Sequence, residues 1–304
     1  MPMVTRIAAL HGALWNIDRR YRLSWYVWPG SLALLICGWI SIDKLNGASA
    51  TSPWAKPVAA APAQPRPRSP ALFGWPEKLQ DDVIVCFSYP TDPGPIVEAC
   101  TRLIDSGQAD SNQLAALYLQ RGFQQRLKQP DSALADYNAA LSIQPNAPAV
   151  LTNRAWIYMA RSRYDAALED LNKAINLFPP PQSARAHYYR GFSLMKLKDY
   201  DRAITDLNQA LELDPNGSDT YLTRAEVEQA QEHYDAALRD LDEFGKRAPR
   251  DPRGPIGRSA VLEASGRIQE ALAALDSVVA LDPTNARALT ARDRLRARLN
   301  EGSH

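Results

Sequence analysis

The sequence predicts an all-α protein, a solenoid of paired helices preceded by a single transmembrane helix. Three features of the 304 residues predict this fold. A 19-residue segment near the N-terminus carries no charge, a stretch rich in Pro and Ala follows it, and the remainder repeats itself with a period close to 34 residues. Repeats of about 20–50 residues are typical of arrays in which each unit packs only on its neighbours.

The N-terminal part divides into a basic segment, residues 1–23, and an apolar segment, residues 24–42. The apolar run SWYVWPGSLALLICGWISI is about long enough to cross the ~30 Å hydrocarbon core of a bilayer as a helix. Trp and Tyr side chains flank it, as at membrane interfaces. Arg6, Arg19, Arg20 and Arg22 precede it, so the positive-inside rule predicts a single-pass protein of the bacterial inner membrane with a cytoplasmic N-terminus and a periplasmic remainder.

Two other interpretations of the apolar segment stay open. It could be a signal peptide cleaved after Ala50, because Ala48-Ser49-Ala50 fits the small-residue cleavage pattern. A lipoprotein signal at Cys37 is disfavoured by the large Ile36 before it. The apolar residues of the basic segment recur every three or four positions and predict either a helix on the membrane surface or a poorly ordered leader.

Residues 43–80 are predicted to be a linker, because the Ala, Pro and Ser between Ala48 and Pro70 cannot form a core and favour an extended spacer. Residues 81–107 are predicted to cap the array, with a helix from Pro95 to Ser106. Cys86 and Cys100 lie in this segment. Outside the cytoplasm a disulfide between them is permitted; two ordinary buried thiols are the alternative.

Five segments within residues 108–285 align with one another. Each contains an Ala, and these Ala residues step by 34, 36, 34 and 34 positions: Ala133, Ala167, Ala203, Ala237 and Ala271. Each segment closes on a Pro with the same steps: Pro145, Pro179, Pro215, Pro249 and Pro283. An upstream small residue completes the pattern: Gly122, Ala155, Gly191, Ala225 and Ser259. Small side chains allow two helices to approach closely, and Pro ends the second helix.

A third small residue follows the Ala by seven positions in the first three segments, at Ala140, Ala174 and Ala210. Phe244 and Val278 depart from the pattern in the last two. The pattern strongly resembles the tetratricopeptide repeat (TPR), a helix-turn-helix unit of 34 residues. The resemblance implies a non-catalytic array whose inner wall, built mostly from first helices, binds a peptide or helix of a partner protein. Residues 286–304, with a helix from Ala286 to Leu299, would cover its last face.

An Arg precedes every upstream small residue, and an Asp follows the Ala by three positions in four segments. These columns predict four helix-to-helix ion pairs: Arg121 with Asp136, Arg154 with Asp170, Arg190 with Asp206, and Arg224 with Asp240. The fifth Arg, Arg258, has Ala274 in place of the Asp. A row of Arg that binds phosphate or acidic groups is the functional alternative.

The resemblance also predicts which side chains line the inner wall. They are Leu119, Phe123, Asn153, Trp156, Arg185, Tyr188, Tyr189, Phe192 and Leu222. Aromatic residues suit binding hot spots, although the same side chains could simply pack between neighbouring repeats. Some family members hold a C-terminal carboxylate on this wall. Asn153 and Arg185 lie near suitable positions, but the Lys and the second Asn of that set are missing, so we do not assign this activity.

The predicted function is a non-enzymatic scaffold or adaptor that is tethered to the membrane, binds a partner protein in its groove and supports assembly of an envelope complex. A net charge of +1 offers no field for nucleic acid. Four His and three Cys without a ligand pattern predict no metal site, and no phosphate-binding motif occurs. We therefore expect no cofactor and no small-molecule substrate. The alternatives are a membrane-anchored receptor whose cytosolic array captures client or chaperone peptides, and an enzyme of unrecognised type.

Overall fold

The computed structural model describes residues 74–88, 92–180 and 182–301. The chain divides into two compact parts, residues 1–80 and 81–304. The described end of the N-terminal part contains a short 3-10 helix, Glu77–Leu79. The predicted transmembrane segment and nearly all of the predicted linker lie outside the described residues. Among the helices that the structure does describe, none has the length and apolar character needed to span a bilayer.

Two helices precede the array, α1 (Gln80–Cys86) and α2 (Gly94–Asp105). The sequence predicted α2 within one residue at either end but not α1. Ile96, Ala99, Cys100 and Leu103 form the buried face of α2. Cys86 and Cys100 are joined in a disulfide with a Cα–Cα distance of 5.0 Å. Because α2 packs on the first helix of the array, it covers that end.

Ten helices form five consecutive pairs, which we call units 1 to 5. The first and second helices of each unit are joined by a short turn and pack against each other. Their bounds are α3 (Ser111–Gln125) and α4 (Pro130–Ile143), α5 (Pro148–Ala160) and α6 (Tyr164–Leu177), α7 (Ala184–Lys196) and α8 (Tyr200–Leu213), α9 (Ser218–Ala230) and α10 (Tyr234–Arg247), α11 (Arg253–Ala264) and α12 (Ile268–Leu281). The all-α solenoid is thus confirmed, and the described residues contain no strand.

The small residues of the repeat mark the closest approach of the two helices. A Cβ added to Gly191 would lie 2.8 Å from Cγ of Leu207 and 3.2 Å from the carbonyl oxygen of Ala203. Such distances leave no room for a larger side chain in a close-packed interior. The five Ala of the repeat are fully buried, as this interpretation requires.

The departure at Phe244 has a local compensation. Phe244 is fully buried, and the next first helix places Gly254 against its ring, where an added Cβ would lie only 2.8 Å from Cδ1. Because Gly254 on α11 has no side chain, it leaves the space that Phe244 needs in place of the smaller Ala on α10.

The last helix, α13 (Ala286–Glu301), packs on α12 and ends two residues beyond the predicted Leu299. Thr290, Asp293 and Arg296 are exposed. The residues 34 positions earlier, Ile256, Ser259 and Leu262, are buried under a second helix. The more polar residues of α13 suit a terminal helix, because within the described residues no second helix covers this face.

Candidate partner-binding groove

First helices of successive units contact one another directly from unit 2 to unit 5, and more closely than the second helices do. Each first helix also packs on the second helix of the preceding unit. The array therefore curves towards its first helices, which form the inner wall that the sequence analysis expected.

The structure forms all four predicted Arg–Asp pairs. In each, Nε and Nη2 of the guanidinium donate to the two carboxylate oxygens of an Asp that is almost completely buried. The distances are 2.9 and 2.7 Å for Arg121–Asp136, 2.8 and 2.7 Å for Arg154–Asp170, 2.7 and 2.7 Å for Arg190–Asp206, and 2.7 and 2.6 Å for Arg224–Asp240. These guanidinium edges are occupied within the protein, which favours the helix-to-helix role over an acid-binding row.

A second contact of each Arg was missed by the sequence analysis. Nη1 donates across the boundary to the preceding unit, from Arg154 to Asn138 at 2.8 Å, Arg190 to Asn172 at 2.9 Å and Arg224 to Asn208 at 2.6 Å. In unit 1 Arg121 reaches Thr101 on α2 at 3.1 Å. The signal was present, since each Asn follows an Asp of the column by two positions. Each Arg thus connects three helices.

Asp206 has one partner more than its counterparts. Nδ1 of His187 lies 3.0 Å from its Oδ1. Burial by itself raises the pKa of the Asp206 carboxyl, but the hydrogen bonds from His187 and Arg190 outweigh it and leave the pKa below its usual value. The group is therefore a carboxylate at neutral pH, and its role is structural.

The predicted groove residues lie on first helices and are mostly half-buried. Trp156, Tyr189 and Leu119 pack on the core of units 1 and 2, while Tyr188 and Phe192 pack on the core of unit 3. Leu222 is 9% exposed and belongs to the core of units 4 and 5. It offers little surface to a partner, so its assignment to the groove is corrected. The five aromatic residues are half-buried, so they pack within the array and also keep some exposed surface.

Two cations modify the aromatic surface, and neither was predicted. The Arg126 guanidinium lies 3.6 Å from the centroid of the Phe123 ring and 5.8 Å from that of Trp156. Lys196 lies 5.0 Å from the centroid of Phe192. Cations over ring faces are attracted by the ring quadrupole. This part of the wall therefore presents aromatic surface with positive charge beside it.

Four predicted residues already have contacts within the array. The Asn153 amide donates to the Ala149 carbonyl at 2.8 Å, and Arg185 lies half-buried in the first turn of α7. The Tyr188 and Tyr189 rings lie 5.5 Å apart. Burial raises the pKa of Tyr188 to about 12, with a smaller opposing effect from its hydrogen bond with Thr223. Tyr188 is therefore neutral at physiological pH and serves as an apolar surface with a hydroxyl at its tip.

The described part of the chain contains no cluster of three His, Cys, Asp or Glu that could hold a metal ion.

Three family models described as tetratricopeptide repeat match residues 148–181, 184–216 and 222–286. Together they cover less than half of the chain, and unit 1 lies outside them. Among curated proteins, the chain is 38% identical over 68 residues to the E3 ubiquitin-protein ligase CHIP of Arabidopsis thaliana, which is 22% of this chain and 24% of that protein. It is 24% identical over 189 residues to Hsp70-Hsp90 organizing protein 2 of the same plant, 51% of this chain and 33% of that protein. The chain thus spans about a quarter to a third of the length of these relatives.

Two solved structures share the fold. A tetratricopeptide repeat protein from Parabacteroides merdae is 25% identical, with a TM-score of 0.59 over 74% of this chain and 85% of that chain. YrrB, described as a TPR protein with an unusual peptide-binding site, is 21% identical, with a TM-score of 0.51 over 65% of this chain and 99% of that chain.

Proposed function

We propose that this chain, which carries tetratricopeptide repeats, is a non-enzymatic scaffold that holds a partner protein against the first helices of its array. One observation carries the proposal. The first helices of units 1 to 3 present the half-buried aromatic rings of Phe123, Trp156, Tyr188, Tyr189 and Phe192 along the inner wall. Partly exposed aromatic residues in a row are typical of binding hot spots.

The surface indicates the chemistry of the partner. Rings backed by Arg126 and Lys196 suit a peptide or helix with apolar side chains and an acidic group nearby. Rings that are already packed on one side are fixed in position, and a preorganised surface loses less entropy on binding.

Residues 24–42 would tether the array to a bacterial inner membrane with the array in the periplasm. The charge-free segment and the Arg before it support this topology. The Cys86–Cys100 disulfide also supports it, because disulfides persist in oxidising compartments and are rare in the cytosol. A scaffold in this position would support assembly of an envelope complex.

Capture of chaperone peptides by a cytosolic array is the second candidate. It is favoured by the similarity to a protein named for organising Hsp70 and Hsp90. The groove opposes it, since Asn153 and Arg185 are not accompanied by the Lys and the second Asn of a carboxylate-binding set.

The first experiment places a photo-crosslinking amino acid at Trp156 in living cells and identifies adducts by mass spectrometry. We expect one discrete adduct that disappears when Phe192 is changed to Glu. The matched control is Leu177→Glu, which adds the same charge at a partly exposed site on a second helix and should leave the adduct unchanged. Absence of an adduct, or its persistence in Phe192→Glu, would remove the groove from consideration.

A second experiment tests the topology. A fluorescent protein that does not mature in the periplasm, fused after His304, should remain dark. Fluorescence from the fusion would place the array in the cytosol and favour the second candidate.

A further inference from the structure

A cleft of about 790 Å³ lies between α10, α11 and α12. Its lining shares no residue with the predicted groove and includes Gly245, Pro255, Arg258, Ala273 and Ala274. It surrounds the fifth Arg of the column, the one whose own unit has Ala274 where the other four units have an Asp.

Arg258 keeps the orientation of its counterparts. Its Nη1 donates to Asp242 across the unit boundary at 2.5 Å, the same contact that Arg224 makes with Asn208. In units 1 to 4 the remaining edge, Nε and Nη2, binds the Asp of the same unit. In unit 5 the methyl group of Ala274 cannot accept a hydrogen bond, and both residues line the cleft. Among the described residues, Nε and Nη2 of Arg258 therefore have no hydrogen-bond acceptor.

Several positions in the cleft lining carry smaller side chains than the equivalent positions one repeat earlier. Comparison with the residues 34 positions earlier shows three changes from unit 4 to unit 5, Tyr221 to Pro255, Asp240 to Ala274 and Glu243 to Ser277, and one change from unit 3 to unit 4, Leu211 to Gly245. All four replacements are smaller, and two of them remove a carboxylate.

The lost ring and carboxylate are groups that surround the equivalent Arg guanidinium in units 1 and 4. In unit 4 the Tyr221 ring centroid lies 5.7 Å from the Arg224 guanidinium, which also binds Asp240. In unit 1 the Tyr118 ring lies 5.6 Å from Arg121 in the same way. Unit 5 supplies neither the ring nor the carboxylate from its own sequence. A ligand that carried both would reproduce the surroundings of Arg121 and Arg224.

We infer that this cleft is a second binding site, which accepts an acidic side chain and an adjacent aromatic side chain from a partner protein. The carboxylate binds Nε and Nη2 of Arg258, and the ring occupies the space beside Pro255 above the buried Leu241 and Leu262. Bidentate pairing of this kind fixes the orientation of the bound group. The inference rests on the proposed function as an interaction scaffold.

The charges around the cleft limit the strength of a single contact. Asp242 already pairs with Arg258, and Glu270, which also lines the cleft, is held by Arg267 at 2.7 and 2.6 Å. Arg258 also interacts electrostatically with Glu270, so an added carboxylate approaches a guanidinium that already has two acids near it. We expect a Kd of about 1–10 mM for a small probe, with the rest of a partner's surface adding affinity.

The probe is 3-phenylpropionate, which joins one ring to one carboxylate, and its neutral amide is the matched ligand. Binding to the purified full chain is followed by saturation-transfer NMR. Three variants are compared: Arg258→Gln removes the donor edge, Ala274→Asp supplies the carboxylate from within the chain, and Ala280→Asp adds the same charge at an exposed site on α12 outside the cleft lining.

We expect the acid to bind and the amide to bind at least ~10-fold more weakly. Binding of the acid should fall by the same factor in Arg258→Gln and Ala274→Asp and remain in Ala280→Asp. Equal binding of acid and amide, or full binding by the folded Ala274→Asp or Arg258→Gln variant, would overturn the inference. Far-UV circular dichroism verifies that each variant is folded, and the two cleft variants act through different groups.

The groove proposal and the cleft proposal can be tested independently of each other. The Phe192→Glu variant should keep the part of probe binding that Arg258→Gln removes, because Phe192 does not line the cleft. Loss of the Trp156 adduct with intact probe binding counts against the groove alone. A normal Trp156 adduct without probe binding counts against the cleft alone.

Discussion

At the residue scale, the Arg–Asp pairs join the first and second helices of units 1 to 4. Each Asp is buried on a second helix, and its Arg is partly exposed on the facing first helix. Removing one member of such a pair leaves an uncompensated charge, which costs more than the pair itself contributes. The pairs therefore define which helix faces which, even where their net contribution to stability is small.

We predict that Asp170→Ala lowers the free energy of unfolding by about 2 kcal/mol, because Arg154 keeps its partly buried charge but loses its carboxylate. Urea unfolding measures the change. The matched control is Asp131→Ala, which breaks the exposed pair with Arg161 and should cost less than about 1 kcal/mol. Equal effects of the two changes would contradict the role of the buried pair.

The lowered pKa of Asp206 predicts a pH dependence of stability. Its contribution is present above the ordinary carboxyl pKa and is lost as pH falls through the lower pKa of the folded state. The difference in unfolding free energy between the unchanged chain and Asp206→Asn should therefore be constant from about pH 5 to 7 and shrink below about pH 4. Urea unfolding at each pH measures it. A difference that grew as the pH fell would contradict the assignment.

At the scale of the helix pair, the turn between the two helices has the same conformation in units 2 to 5. Ser162, Lys198, Glu232 and Gly266 all have positive φ, at 56°, 64°, 64° and 79°. Only Gly adopts this conformation without steric cost. Three of the four turns therefore carry a residue that is strained at this position.

Lys198→Gly should raise the free energy of unfolding by up to about 1 kcal/mol, since relief of backbone strain exceeds the added flexibility of the unfolded chain. Gly266→Ala is the reciprocal change. No atom lies within 4 Å of its added Cβ, so its expected loss of about 1 kcal/mol reports the backbone alone. Thermal unfolding measures both, and changes of the same sign would refute the interpretation.

At the scale of the whole molecule, the array is closed by different means at its two ends. Before unit 1, the disulfide connects α1 with α2, which covers the first face. After unit 5, α13 places Arg294 and Arg298 against Glu263. Solenoids depend on such caps because each unit is stabilised only by its neighbours.

Replacing Cys86 and Cys100 by Ser should lower the free energy of unfolding by up to about 3 kcal/mol, the chain-entropy value for a loop of this length. Denaturant unfolding measures the loss, and Cys37→Ser serves as the control. Alkylation of thiols in intact cells then tests the compartment. Blocked thiols agree with a periplasmic array, whereas two free thiols would favour the cytosolic alternative.

The sequence by itself determined the repeat architecture and the four Arg–Asp pairs. A period of 34 residues and two aligned columns are one-dimensional signals, and a solenoid preserves them because each unit contacts only its neighbours. The same regularity placed the aromatic residues on first helices. The sequence did not predict helix α1, because this helix is only seven residues long and belongs to no repeat.

Only the tertiary structure decided how the units meet. It showed that Gly254 makes room for Phe244, that each Arg also reaches the preceding unit, and that Leu222 is a core residue. It also revealed the cleft at Arg258, which depends on four positions that are distant in sequence. These features arise where three helices converge, and the distances between side chains on different helices are set by packing, which no single repeat of the sequence specifies.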